Sequence, residues 1–176
     1  MRSTLKISVT ALFASLAIAS SILRLEFPFP VLPWLKFDLA EIPAMLACMM
    51  CGLSYGLLAE TIHFLGLVAR GSHALNAFMK FSAVAPMMLG YAFFTKTLLK
   101  AASGIALRVA VTTAMNYLYF YVLYPSFLEY ALKLTGTVEL LFGYTAMFNI
   151  IHGIFTIGVS LLIVREVEKR IKMPAK

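Results

Sequence analysis

The sequence predicts an all-α integral membrane protein, a bundle of six transmembrane helices with both termini in the cytoplasm. Three observations carry this reading. Apolar residues make up 61% of the 176 and charged residues only 13%, at a mean hydropathy of +0.89, against about 45–50% apolar and about 25% charged in a soluble domain. Apolar stretches of the roughly 20 residues that a helix needs to cross a hydrocarbon core recur along the chain, whereas the short alternating segments of an outer-membrane barrel do not. Basic residues are shared unequally between alternate connections. All of residues 1–176 are taken up by one transmembrane domain, with no room for a soluble one.

The first crossing, at about 7–24, follows a basic start in "MRSTLKISVTALFASLAIASSIL". Its apolar run exceeds the core of a cleaved signal, so it is retained as a helix. Residues 39–69 are too long an apolar run for one crossing, and "CGLSYG" in the middle offers Gly52, Ser54 and Gly56 as a tight turn. Two crossings result, at about 38–53 and 56–69, and three more follow at about 76–95, 104–124 and 141–164.

Charge separates six crossings from five. With six and a cytoplasmic start, the inside carries ten basic residues, Arg2, Lys6, Lys96, Lys100, Arg108, Arg165, Lys169, Arg170, Lys172 and Lys176, against five outside, Arg24, Lys36, Arg70, Lys80 and Lys133. The inside acids are Glu166 and Glu168; Glu26, Asp38, Glu41, Glu129 and Glu139 lie outside, and Glu60 falls within a span. Five crossings put the basic tail "REVEKRIKMPAK" outside, against the positive-inside tendency.

The same observations remove several functions. The net charge of +7 is a topology signal, and no basic cluster interleaved with aromatics on a solvated face supports nucleic-acid binding. Cys48 and Cys51, "CMMC" within a helix, have neither a second cysteine pair nor a histidine cluster, so they read as buried thiols and no metal site is expected. No GxxxxGK[ST] loop occurs, so ATP-driven work by that route needs a partner. A membrane-embedded enzyme needs a catalytic cluster such as several carboxylates on a metal, and no catalytic residue is assigned. An ion or proton channel is the other rival, with Glu60, His63 and Lys80 as its relay.

Polar residues inside a membrane are costly and therefore informative. They are Glu60, His63, Asn76, Lys80, Asn116, Asn149 and His152. In "AETIHF", Glu60 and His63 are three apart and meet on one helix face, either as a mutual hydrogen bond or as half of a di-iron motif whose other ligands are missing. In "AMFNIIHGIF", Asn149 and His152 likewise converge on one place. Asn116 precedes Tyr117, Tyr119, Tyr121 and Tyr124; the tyrosines suit an interfacial belt, but Asn116 lies too deep for one. On the first helix Ala11, Ser15 and Ala19 recur every four residues, a stripe that serves either packing within the bundle or close approach of a separate helix. In "RLEFPFPVLPWLKFDLAEIP", Pro28, Pro30 and Pro33 stiffen a loop presenting Phe27, Phe29, Trp34 and Phe37 beside Lys36 and Asp38. It reads as a lid over the bundle mouth or as an interfacial anchor.

These stretches carry a family resemblance across nearly the whole chain. "LPWLKFDLAEIPAMLACMMCGLSYG" resembles the loop and second helix of the substrate-binding S components of energy-coupling factor (ECF) vitamin importers. "NYLYFYVLYP" and "FNIIHG" resemble the fifth and sixth helices of the riboflavin-specific members, whose patterns read Asn-Tyr…Pro and Phe-Asn-x-x-Lys-Gly. The resemblance implies flavin contacts for Asn116 and Asn149, with His152 at the position of the family's lysine. Trp34, Lys36, Asp38, Glu60 and His63 complete the candidate substrate-binding set. It implies riboflavin, a related flavin or another flat heterocyclic vitamin as a transported ligand, with no resident cofactor. As partners it implies, besides membrane lipid, a transmembrane coupling protein with two cytoplasmic ATPases, docked on Ala11, Ser15 and Ala19. Chemistry independently permits a flavin, whose ring edge alternates carbonyl acceptors with nitrogens and one N–H, a pattern that asparagine amides match.

Overall fold

A computed structural model of the chain describes residues 3–171. Arg2, Lys172 and Lys176, counted above among the inside charges, lie outside the described residues. The elements run α1 (Ser3–Ile22), β1 (Glu26–Pro28), β2 (Lys36–Asp38), α2 (Glu41–Cys51), α3 (Leu53–Ala69), α4 (Ala74–Ala92), α5 (Thr97–Leu118), a π-helical turn (Tyr119–Leu123), α6 (Pro125–Thr135) and α7 (Val138–Ile171). Helices therefore occupy every expected crossing. Ser3–Ile22, Thr97–Leu123 and Val138–Arg170 are long and apolar enough to span a membrane, whereas Glu41–Cys51 and Leu53–Ala69 are apolar but shorter.

The long apolar run breaks where the turn is expected, though more sharply. Gly52 alone separates α2 from α3, at φ 111° and ψ 166°, a conformation essentially restricted to glycine. Ser54 and Gly56 fall inside α3. The joint between α4 and α5 depends on missing side-chain volume: a Cβ on Gly90 would sit 2.5 Å from the Ser103 carbonyl oxygen. Close backbone approach of this kind holds membrane helices together by van der Waals contact where lipid offers no hydrophobic drive. Ser103 Oγ adds a hydrogen bond to the Gly90 carbonyl, 2.7 Å.

Two elements depart from the sequence reading. The proline-rich loop is a β-hairpin, with Glu26 opposite Asp38, Phe27 opposite Phe37 and Pro28 opposite Lys36. Pro28 ends its strand, where a missing N–H costs no ladder bond. Between the fifth and sixth expected crossings lies α6, opened by Pro125 at its first position, where the fixed φ of proline is already helical.

Two cores result. Ala14, Met45, Ala59, Met87 and Ile157 lie in one, which joins α1, α2, α3, α4 and α7. Phe29, Leu32, Phe120, Ala131, Leu141 and Phe148 form the other, which ties the hairpin tip to α6 and α7. The hairpin is thus anchored by two buried side chains. The exterior is apolar in turn, with Leu12, Leu16, Leu65, Ile154 and Leu162 exposed, as lipid rather than water requires.

Candidate functional site

Polar residues enter the bundle at regular helical intervals. On α5, Arg108, Thr112 and Asn116 recur every four residues and are all buried. On α7 the inward face carries Thr145, Asn149, His152, Thr156 and Ser160, also buried. The threonine hydroxyls donate to their own helix, Thr112 Oγ1 to the Arg108 carbonyl and Thr145 Oγ1 to the Leu141 carbonyl, each 2.8 Å. α2 contributes through its first turn. Asp38 Oδ1 accepts the Ala40 N–H at 2.9 Å, an Asx turn that launches the helix and turns Glu41 inward.

Arg108 is the centre of this network, with 1% of its surface exposed. Its two terminal nitrogens grip the Glu41 carboxylate at 2.6 and 3.0 Å, the bidentate geometry that suits guanidinium to carboxylate. Nε donates to Asn149 Oδ1 at 3.1 Å. One terminal nitrogen also lies 3.1 Å from His152 Nδ1 and the other 3.8 Å from Met87 Sδ. Thr156 Oγ1 gives Glu41 a further hydrogen bond, 3.2 Å. His152 Nε2 lies 3.2 Å from both the backbone N–H nitrogen and the carbonyl oxygen of Asp38, so the histidine bridges α5 to the base of the hairpin.

Above this floor is a cavity of about 450 Å³, within the range of small-molecule sites. Trp34, Tyr119, Phe120, Phe127 and Phe148 form aromatic walls, and Asn76, Lys80, Thr112 and Asn116 add polar groups. The π-helical turn after α5 carries Tyr119 and Phe120, both of which face the cavity. Lys80 of α4 closes one side, its Nζ 2.5 Å from Asp38 Oδ2 and 3.7 Å from Glu26 Oε2. Lys36 pairs with Glu26 across the hairpin. Burial opposes ionisation of Glu26, but the hydrogen bond from Lys36 and the charge of Lys80 outweigh it and hold the carboxyl below its ordinary range.

Six of the candidate residues, Trp34, Lys36, Asp38, Asn116, Asn149 and His152, line this one cavity. Glu60 and His63 do not. They lie buried on α3, where His63 Nε2 meets Ser21 Oγ of α1 at 2.9 Å. His63 Nδ1 and Glu60 Oε2 approach to 3.4 Å without forming a hydrogen bond, so the histidine is fastened to α1 rather than to its neighbour. Ala11, Ser15 and Ala19 are exposed on α1, away from its buried face of Thr10, Ala14, Ala17 and Ser21.

Arg108 and Glu41 are absent from the candidate set, and the charge reading puts them on opposite sides of the membrane. Their contact overturns that assignment, because residues 2.6 Å apart share one depth. The four-residue spacing from Arg108 through Thr112 to Asn116 was the signal that identifies Arg108 as inward-facing. The basic bias survives without it.

A helical membrane protein that holds a cavity of mixed polar and aromatic lining has the form of a binding subunit. The family described as ECF transporter, substrate-specific component, matches residues 5–164, and the chain belongs to it. It is a transporter component and not an enzyme. The riboflavin transporter FmnP of Bacillus subtilis (strain 168) is 30% identical over 180 residues, covering 91% of this chain and 90% of that one. A solved structure of the S component of a bacterial ECF transporter shares the fold, with a TM-score of 0.74 over 98% of this chain and 100% of that chain at 22% identity.

Proposed function

We propose that this chain is the riboflavin-binding subunit of an ECF importer, crossing the membrane six times with both termini in the cytoplasm. The crossings are α1, α2, α3, α4, α5 with its π turn, and α7; the hairpin and α6 cover the outer mouth. The excess of basic residues on the opposite end supports this orientation. One observation carries the ligand assignment: the cavity combines aromatic walls with the amides of Asn116 and Asn149, matching a fused ring with a hydrogen-bonding edge. The relative named as a riboflavin transporter supports the same ligand. The hairpin, hinged beside Asp38 and bearing Trp34, shields the bound ring from water.

Concentrating the vitamin requires a motor that this chain's sequence does not supply. A transmembrane coupling protein bearing two ATPases provides it, docked against the exposed face of α1.

Thermal unfolding of the purified chain tests the ligand. Saturating riboflavin at 100 times Kd should stabilise it by about 2.7 kcal/mol, with no shift from thiamine or biotin. Stabilisation by another flat heterocycle in place of riboflavin moves the assignment to that vitamin, and none from any removes the binding reading.

A further inference from the structure

All five N–H groups of Arg108 are engaged. Nε serves Asn149, one terminal nitrogen serves Glu41 and Met87, and the other serves Glu41 and His152. Guanidinium can only donate, and its two neighbours on α7 have ends that differ in what they can do.

For Asn149 the consequence is a fixed amide. Oδ1 must face Arg108 Nε, because an amide NH₂ there would oppose donor to donor. The other end agrees, since Nδ2 lies 3.0 Å from the Thr145 carbonyl oxygen, which can only accept. One Nδ2 proton is used in that bond and the second remains for the cavity. For His152, the Asp38 backbone offers Nε2 both its N–H and its carbonyl oxygen at 3.2 Å and so does not choose between the tautomers. Arg108, which can only donate, does, because it needs Nδ1 as an acceptor and so places the ring proton on Nε2. Both ring nitrogens are then spent within the protein.

We infer that Arg108 is the positioning residue of the cavity floor: it sets the polarity of the site, so that Asn149 offers the ligand the free proton of Nδ2 and His152 offers it no hydrogen bond. Thr112 and Thr145 spend their protons on the α5 and α7 backbones and present only lone pairs. The ligand group over Asn149 Nδ2 is therefore an acceptor, a carbonyl oxygen or an unprotonated ring nitrogen. The inference rests on the cavity being the riboflavin site only for this last step; the proton positions belong to the empty protein.

The test has two readouts. Nitrogen-15 NMR of histidine-labelled, ligand-free protein should show His152 protonated at Nε2; protonation at Nδ1 overturns the inference whether or not riboflavin binds. Binding of riboflavin is then compared with its 2-thio and 4-thio analogues, whose sulfur is a poor acceptor. Wild type should lose about tenfold affinity for the one analogue whose sulfur faces Asn149. Arg108→Lys keeps the charge but lacks the fork, frees the Asn149 amide to turn, and should shrink that difference to about twofold. An unchanged analogue ratio in folded Arg108→Lys overturns the inference. Should that variant not fold, Arg108→Met with Glu41→Leu takes its place, with the same expected and overturning results.

Discussion

Arg108 of α5 and Glu41 of α2 hold each other by two hydrogen bonds inside the bundle, with almost no surface exposed on either. Taking one member away strands the other charge in a medium that cannot solvate it. Glu41→Leu and Arg108→Met should each destabilise the ligand-free protein by about 3–5 kcal/mol, whereas the double change should come within about 1 kcal/mol of wild type. Thermal unfolding in detergent reads this directly. Single variants as stable as wild type would mean that the pair is dispensable.

Asn116 gives the opposite pattern. It is buried, it lines the cavity, and its side chain makes no hydrogen bond among the described residues. Asn116→Leu should leave the unfolding temperature of the empty protein unchanged while weakening riboflavin binding by about 0.5–1.5 kcal/mol, or two- to about thirteenfold. Asn149→Leu differs in kind, because it also strips Arg108 Nε of its acceptor and should lower stability by about 1–3 kcal/mol as well. Calorimetric affinity and unfolding temperature, measured on both variants, separate the two roles; equal affinity of Asn116→Leu and wild type would take Asn116 out of the site.

Short-range relations were the legible ones. The break at Gly52, the shared face of Asn149 and His152, and the gathering of Ala11, Ser15 and Ala19 on one face of α1 all follow from local spacing, whereas the outward direction of that face does not. The partners of those residues did not follow. Glu41 is 67 positions from Arg108, and Ser21 is 42 positions from His63; helical periodicity says which side chains share a face but not what that face meets. Counting charges near helix ends then misplaced Arg108, because the rule assumes that a basic residue must reach water and this one reaches a carboxylate. The hairpin was missed for a related reason. Three prolines in the loop argue against strands locally, yet only three residues on each side need to pair, and Phe29 and Leu32 supply the anchoring from the tertiary core.

Acid should loosen the hairpin through Glu26. Its folded-state carboxyl ionises below its ordinary value of 4.5. The stability it contributes is therefore fully present above that value and disappears as pH falls through the lower folded value. Trp34, whose ring lies 5.2 Å from Phe127 and 6.0 Å from Tyr130, reports on whether the hairpin is seated. Its emission should shift in wild type below about pH 4, and Glu26→Gln should flatten that transition. An identical acid transition in the variant would assign the change to other carboxyl groups.

Coupling to a motor should depend on the outward face of α1. Thr10, Ala14, Ala17 and Ser21 point into the bundle, and Ala11, Ser15 and Ala19 point away from it. Packing within the chain therefore does not account for the small side chains of the stripe. A neighbouring helix does, because small residues let two backbones approach closely enough to gain dispersion contact in lipid. Ser15 also turns its hydroxyl back onto its own helix, Oγ to the Ala11 carbonyl at 2.9 Å, which keeps the stripe flat and its polar atom occupied. Tryptophan at position 11 or 15 would stand between the helices without disturbing the interior. Ala11→Trp and Ser15→Trp should thus bind riboflavin as wild type does in the isolated chain and lose ATP-dependent uptake in the reconstituted complex. Vesicles prepared with each variant, and vesicles holding this chain without any ATPase, make the comparison. Uptake at the wild-type rate by both variants, or concentrative uptake without an ATPase, would remove the stripe from the coupling path.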